Sequence, residues 1–164
     1  MPTRRPRQRT QPAGARARDD AAARAAPRGQ TIRTLSSLML GMLAATTVAL
    51  GFEFLGKRLF PLPAGALPTD AGPTDLFAIA PTGMLLLVAL GWLAGALCGG
   101  WVAARIARRR PMRMALTVGA LILIAVLLNA WLLPQPVWMT LLDAIGAMPL
   151  AWCGGRLAGA APRR

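Results

Sequence analysis

The ten residues "GWLAGALCGG", positions 91–100, decide how this chain is read. They are apolar enough for a buried helix, yet four of the ten are glycine. In water each glycine weakens a helix by roughly 1 kcal/mol relative to alanine. In a lipid bilayer the balance changes. Backbone groups there must bond within the helix, and helices associate by close approach through small residues. Reading 91–100 as part of a transmembrane helix, with its glycines turned to a neighbour, removes the conflict.

The rest of the chain agrees. It has 164 residues, 55% of them hydrophobic and 15% charged, with a net charge of +13. A soluble nucleic-acid binder of that charge would not gather its apolar residues into long blocks. Four blocks reach the roughly 20 residues that cross a bilayer as helix. They cover about residues 35–55, 80–104, 114–133 and 137–157. The last is the least regular, since it contains Asp143, Pro149 and Arg156. None offers a polar face to water, which argues against a soluble helical core. The expected fold is all-α: a four-helix transmembrane bundle over residues 31–161, behind a disordered Arg/Ala/Pro-rich tail of residues 1–30.

Orientation follows from where Lys and Arg lie beside the spans. Nine arginines, from Arg4 to Arg33, precede the first block. Five more (Arg105, Arg108, Arg109, Arg110 and Arg113) lie between the second and third, and Arg156, Arg163 and Arg164 end the chain. The first intervening loop has only Lys57 and Arg58 against Asp70 and Asp75, and the second, "PQP", has no charge. An even number of spans with both termini cytoplasmic satisfies the rule throughout. The first block then reads as an uncleaved signal anchor, because the basic region before it is too long for a cleaved signal peptide. Arg4-Arg5 does not read as a twin-arginine signal, lacking an apolar run beside it. The tail serves either as a topology anchor without a partner or as a contact for anionic lipid, worth about 1 kcal/mol per basic side chain near the surface. Nucleic acid is the least favoured partner.

Small residues mark where transmembrane helices meet. Three stripes recur at every fourth position: Ser37, Gly41, Ala45 and Ala49; Gly91, Gly95, Gly99 and Ala103; Ala147, Ala151, Gly155 and Gly159. They are expected to pack one bundle internally, with a self-association face as the alternative. Two stripes run into an acid. Glu53 follows Ala49 by four residues and has Lys57 one turn on, an i,i+4 pair. Asp143 precedes Ala147 by four and has no basic neighbour. Ionisable groups in hydrocarbon cost a few kcal/mol unless paired. Glu53, Asn129 and Asp143 therefore form a candidate polar site, with Asp143 either bonded to Asn129, Thr140 or a water or held protonated. Pro149 should bend the fourth helix, and Trp131 and Trp138 fit an interfacial belt.

Cys98 and Cys153 each open a "CGG" and read as small core residues, not as a disulfide or metal pair. The two doublets hint at a repeat of two hairpins. The sequence has no histidine, which excludes a Ser–His relay or a His-based metal site. It has no Walker loop and no redox CxxC. No enzyme activity, cofactor or metal is expected.

The stretches "EFLGKRLFPLPAG", "GWLAGALCGGWVAARIARRRP", "VGALILIAVLLNAWLLPQPVWM" and "GGRLAG" together resemble a family of small uncharacterised bacterial inner-membrane proteins with four predicted spans. The resemblance covers about residues 48–159. It implies a location and an architecture and supplies no chemistry. The expected role is a non-enzymatic interaction or scaffold component of the cell envelope, working with a second copy or another membrane protein. The alternative is a small oligomeric transporter or channel subunit using the polar site.

Overall fold

The computed structural model describes residues 13–62, 77, 79–107, 110–133 and 135–160, with side chains from residue 31 to 159 among them. It is an all-α four-helix bundle. Helix α1 covers Ala13–Leu59, α2 Thr82–Ile106, α3 Pro111–Leu132 and α4 Val137–Ala160. All four contain a segment long and apolar enough to cross a membrane, as the sequence predicts. In α1 that segment is Thr31–Leu59.

Two boundaries differ from the sequence expectation. Helix α1 starts at Ala13, inside the segment read as a disordered tail. Alanine and arginine are among the strongest helix formers, so no core is needed to favour helix there. Residues 1–12 lie outside the described residues. At its other end α1 continues to Leu59, four residues past the expected end of the first span. Its last turn is held by packing: a Cβ on Gly56 would sit 3.5 Å from Leu87, and the Phe60 ring lies against Gly83. In the proline-rich loop that follows, residues 63–76 are outside the described residues.

Contacts at the glycines give the arrangement. Gly41 meets Ala103 and Gly99, Gly95 meets Ala45, and Gly91 meets Ala49 and Phe52, so α1 and α2 are antiparallel. Gly119 meets Ala151 and Gly155 meets Ala115, making α3 and α4 antiparallel. Gly100 meets Ala151, while Gly146 touches Leu93 and Gly154 touches Leu97, so α2 and α4 run parallel. Helix α2 is the central element, with 39% of its most apolar window buried against 11% for α1. The core is small-residue dominated: Ala89, Ala96, Ala103, Ala115 and Ala151 are fully buried, and Val118, Ile122 and Val126 fill the centre.

Prolines punctuate the helices. Pro111 opens α3, where its fixed φ suits the first turn. The residue before a proline is disfavoured in the right-handed helical region, and Arg110 takes φ 56 and ψ 53, left-handed, to reverse the chain. Pro149 sits inside α4, on its exposed face.

Candidate functional site

Two kinds of feature distinguish this bundle: helix seams where backbones touch, and a few polar groups set in an apolar frame. The seams fix where the polar groups lie.

A Cβ on Gly95 would fall 2.8 Å from the Ala45 carbonyl oxygen, and one on Gly99 2.7 Å from that of Gly41. A Cβ on Gly100 would fall 2.6 Å from the Ala151 carbonyl. Real Cβ atoms do not approach backbone so closely, so at these positions only glycine permits the observed spacing. The doublet Gly99-Gly100 thus faces two helices at once. Adjacent residues point about 100° apart around a helix of 3.6 residues per turn, and Gly99 turns to α1 while Gly100 turns to α4. In α4 the doublet divides likewise, Gly154 toward Leu97 and Trp101 of α2, Gly155 toward Ala115 and Met112 of α3. This is why a single helix carries so many glycines: it has two neighbours to admit.

Most of the predicted stripe residues lie on these seams. Ser37, Ala45, Ala103, Ala147 and Ala151 are buried, and Gly41, Ala49, Gly91, Gly95, Gly99 and Gly155 stand at close contacts. Gly159 is the exception: a Cβ there would meet nothing within 4 Å, so it belongs to no seam. The four-residue spacing carries it past the end of the contact with α3. Gly100, Gly119, Gly146 and Gly154 are seam residues that the stripes miss. For Gly100 and Gly154 the signal was the doublet itself, since a second glycine one residue off a stripe implies a second face; Gly119 and Gly146 had no such signal.

The three members of the predicted polar site are not joined. Among the described residues no hydrogen bond or ion pair links any two of them. Glu53 Oε1 accepts from Lys57 Nζ at 2.7 Å, the local pair its spacing predicts. Asn129 Nδ2 donates to Gln135 Oε1 at 3.2 Å, and Gln135 Nε2 donates to Thr140 Oγ1 at 2.9 Å. Asn129 and Thr140 are therefore engaged by Gln135, which bridges the tight turn between α3 and α4. Sequence spacing does not show this bridge, because Gln135 belongs to neither helix. Asp143 is only 2% exposed, and its Oδ1 is buried with no hydrogen-bond partner among the described residues. Three hydroxyls elsewhere are satisfied locally: Ser37 donates to the Thr34 carbonyl, Thr47 to Leu43 and Thr117 to Arg113, each at 2.8 Å. That back-bonding is how a short polar side chain is tolerated in an apolar helix.

Three arginines stack over an aromatic ring one turn earlier. Arg58 lies 5.3 Å from the Phe54 ring, Arg105 6.0 Å from Trp101 and Arg156 4.5 Å from Trp152. Such contacts lay the arginine stem along apolar surface while the cation stays at its edge. The aromatic-x-x-x-Arg spacing was readable in the sequence and is a further marker of the helix ends. Trp131 and Trp138 are 82% and 40% exposed, flanking the short turn.

A groove of about 210 Å³ lies between α1, α2 and α3. Met42, Ala45, Thr46 and Ala49 of α1 form one wall, Trp92 of α2 and Ala125 of α3 the others, and Glu53 stands among its lining. Cys98 and Cys153 are free and half-buried. Among the described residues no three His, Cys, Asp or Glu side chains come together as metal ligands. In comparisons with known proteins, no family model, no curated protein and no solved structure matches this chain.

Proposed function

We propose that this chain is a non-enzymatic membrane component that works through contacts, an interaction or scaffold element of the bacterial inner membrane with both termini in the cytoplasm. One observation carries the reading. The α1 seam uses small residues at backbone distance, and large apolar side chains of α1 point outward. On α1, Leu43, Leu50 and Phe54 are 62%, 58% and 63% exposed. A helix held to its bundle by so little of its surface presents the rest to lipid or to another transmembrane element. The asymmetric arginines support the orientation. Those same basic segments suit anionic lipid headgroups.

Photo-crosslinkable side chains at Leu43 and Ile145 provide the test in native membranes. A defined protein adduct from either position, a second copy included, supports the reading. Crosslinks to lipid alone from both overturn it. Reporter fusions after Leu62 and at the C terminus check the orientation, with the first expected outside the cytoplasm and the second within it.

A second reading is favoured by the orphaned Oδ1 of Asp143. A buried carboxylate oxygen without a partner inside an apolar frame is a hallmark of a proton or cation route. On this reading the chain is a small transporter or channel subunit, oligomeric because four helices offer little room for a pore. Vesicles containing the chain and a pH-sensitive dye separate the two: Asp143-dependent flux selects transport, and its absence selects the contact role.

A further inference from the structure

Asp143 is the single acid of α4, on the buried face of that helix between Met139 and Ala147. The α3–α4 seam pairs Gly119 with Ala151 and Ala115 with Gly155. Carried toward the turn in the same antiparallel register, it sets Asp143 level with Val126 and Leu127 of α3, within one turn of Asn129. Thr140 stands one turn from Asp143 on the same side of α4, a spacing that puts Cβ atoms about 5–6 Å apart. The bridge Asn129–Gln135–Thr140 therefore lies between Asp143 and the surface of the turn. Its three members are half-buried, so a polar layer runs inward from that surface and stops one step short of the Asp143 Oδ1. The opposite direction has no such layer: the seam residues Ala147, Ala151 and Gly155 carry no hydrogen-bonding side chain.

The surroundings of the oxygen select the occupant. A hard metal ion takes about six or more oxygen ligands, and among the described residues no three His, Cys, Asp or Glu side chains come together. A proton needs one lone pair, and taking it removes the charge that hydrocarbon penalises. No fixed cation faces the carboxyl from the helices packed against it. Arg105 in α2, Arg113 in α3 and Arg156 in α4 are the basic residues of those helices, and all three stand at the far end of the bundle. On α1, Glu53 is paired with Lys57, and Arg58 lies over the Phe54 ring. Asp70 and Asp75 belong to the loop segment outside the described residues.

We infer that Asp143 is a proton-binding site whose proton enters and leaves from the α3–α4 turn, by way of Gln135 and Thr140. This deepens the transport reading and rests on it for the use made of the site, naming the substrate and its side of entry. The step is an exchange: the carboxyl O–H bond breaks as a neighbouring oxygen takes the proton, and a proton from water at the turn replaces it. Thr140 is a positioning residue, the last polar group before the acid, with a hydroxyl that both donates and accepts.

Infrared spectra of the full chain in lipid films, recorded as heavy water replaces ordinary water, test this over a series from mildly acid to mildly alkaline pH. A protonated carboxyl band shifts when its proton becomes a deuteron, and the part of that band missing in Asp143→Asn belongs to Asp143. The parent should show such a band. Thr140→Val should slow its shift about ten-fold, the effect of losing one hydrogen-bonding group along the path. Thr140→Ser should restore the parent rate. Gln135→Leu, at a turn residue outside both helices, should also slow the shift and stands in if Thr140→Val does not fold, as judged by circular dichroism and elution volume. Thr117→Val, at a hydroxyl bonded to the Arg113 carbonyl near the far end of α3, should exchange like the parent. So should the double variant Asp70→Asn, Asp75→Asn. No Asp143 band at any pH overturns the proposal, as does parent-rate exchange in the folded Thr140 and Gln135 variants, or slowed exchange in the loop double variant. Slowed exchange at Thr140 without vesicle flux supports the site and discards transport alone, whereas flux with unslowed exchange keeps transport and discards this route.

Discussion

The carbonyl oxygen of Ala45 lies 2.8 Å from the point where a Cβ on Gly95 would sit. Two helix backbones are in contact there, and any side chain on Gly95 must push them apart. Overpacking of this kind costs about 1–3 kcal/mol. Gly95→Ala should lower the thermal midpoint in detergent accordingly, and Gly95→Leu should lower it further. Gly100→Ala should do the same at the α2–α4 seam, where the obstructing atom is the Ala151 carbonyl oxygen.

The structure supplies an internal control for that argument. A Cβ on Gly51 or Gly159 would meet nothing within 4 Å. Alanine at either place gains helix propensity without a clash, up to roughly 1 kcal/mol at Gly51, which is well inside its helix. Gly51→Ala should therefore raise the midpoint slightly while Gly95→Ala lowers it. If the two variants shift in the same direction, helix propensity and not close approach governs these glycines.

The contrast also explains how much of the molecule was legible beforehand. Span number and approximate position follow from hydropathy, because in hydrocarbon every backbone group must find its partner within the helix. The stripe through Gly91, Gly95, Gly99 and Ala103 was readable, since a four-residue period is a property of one helix. Which helix each stripe meets was not. Gly99 and Gly100 are adjacent in sequence and face different neighbours, a fact that depends on the whole arrangement. The Asn129–Gln135–Thr140 bridge was hidden for a related reason. It runs through a turn residue, where no periodicity constrains the side chain. Glu53 and Lys57 were paired correctly because i,i+4 proximity is local.

Arg110 gives a prediction at the reversal between α2 and α3. Its φ of 56 puts a side-chain-bearing residue in the left-handed region, which costs roughly 1–2 kcal/mol for most residues. Asparagine tolerates that region better. Arg110→Asn should raise the thermal midpoint by an amount equivalent to about 1 kcal/mol or less. Arg110 is exposed, so no packing is lost. Arg105, Arg108, Arg109 and Arg113 remain in the same segment, and the reporter pattern should be unchanged.

The Glu53–Lys57 pair should matter little for stability despite its 2.7 Å separation. Its side chains are 40% and 56% exposed, and exposed i,i+4 pairs contribute about 0.5 kcal/mol or less. Glu53→Gln should leave the midpoint within error of the parent. A large loss would mean that the pair is desolvated by the surrounding bilayer and carries structural weight.

Asp143 is the residue at which stability and function should part. Its Oδ1 is buried without a partner among the described residues, and an unsatisfied buried polar group costs about 1–3 kcal/mol. Leucine fills a comparable space with no polar atom to satisfy. Asp143→Leu should therefore raise the thermal midpoint, whereas Asp143→Asn, which keeps the polarity, should not. Paired with the vesicle assay the two variants are decisive. A stabilised Asp143→Leu chain that has lost a flux shown by the parent would identify Asp143 as a group held at a cost to the fold because transport requires it. A stabilised variant beside a parent without flux leaves the contact role standing. A destabilised Asp143→Leu would mean that the carboxylate is satisfied after all, for instance by a bound water, and the orphan-oxygen argument for transport would fail.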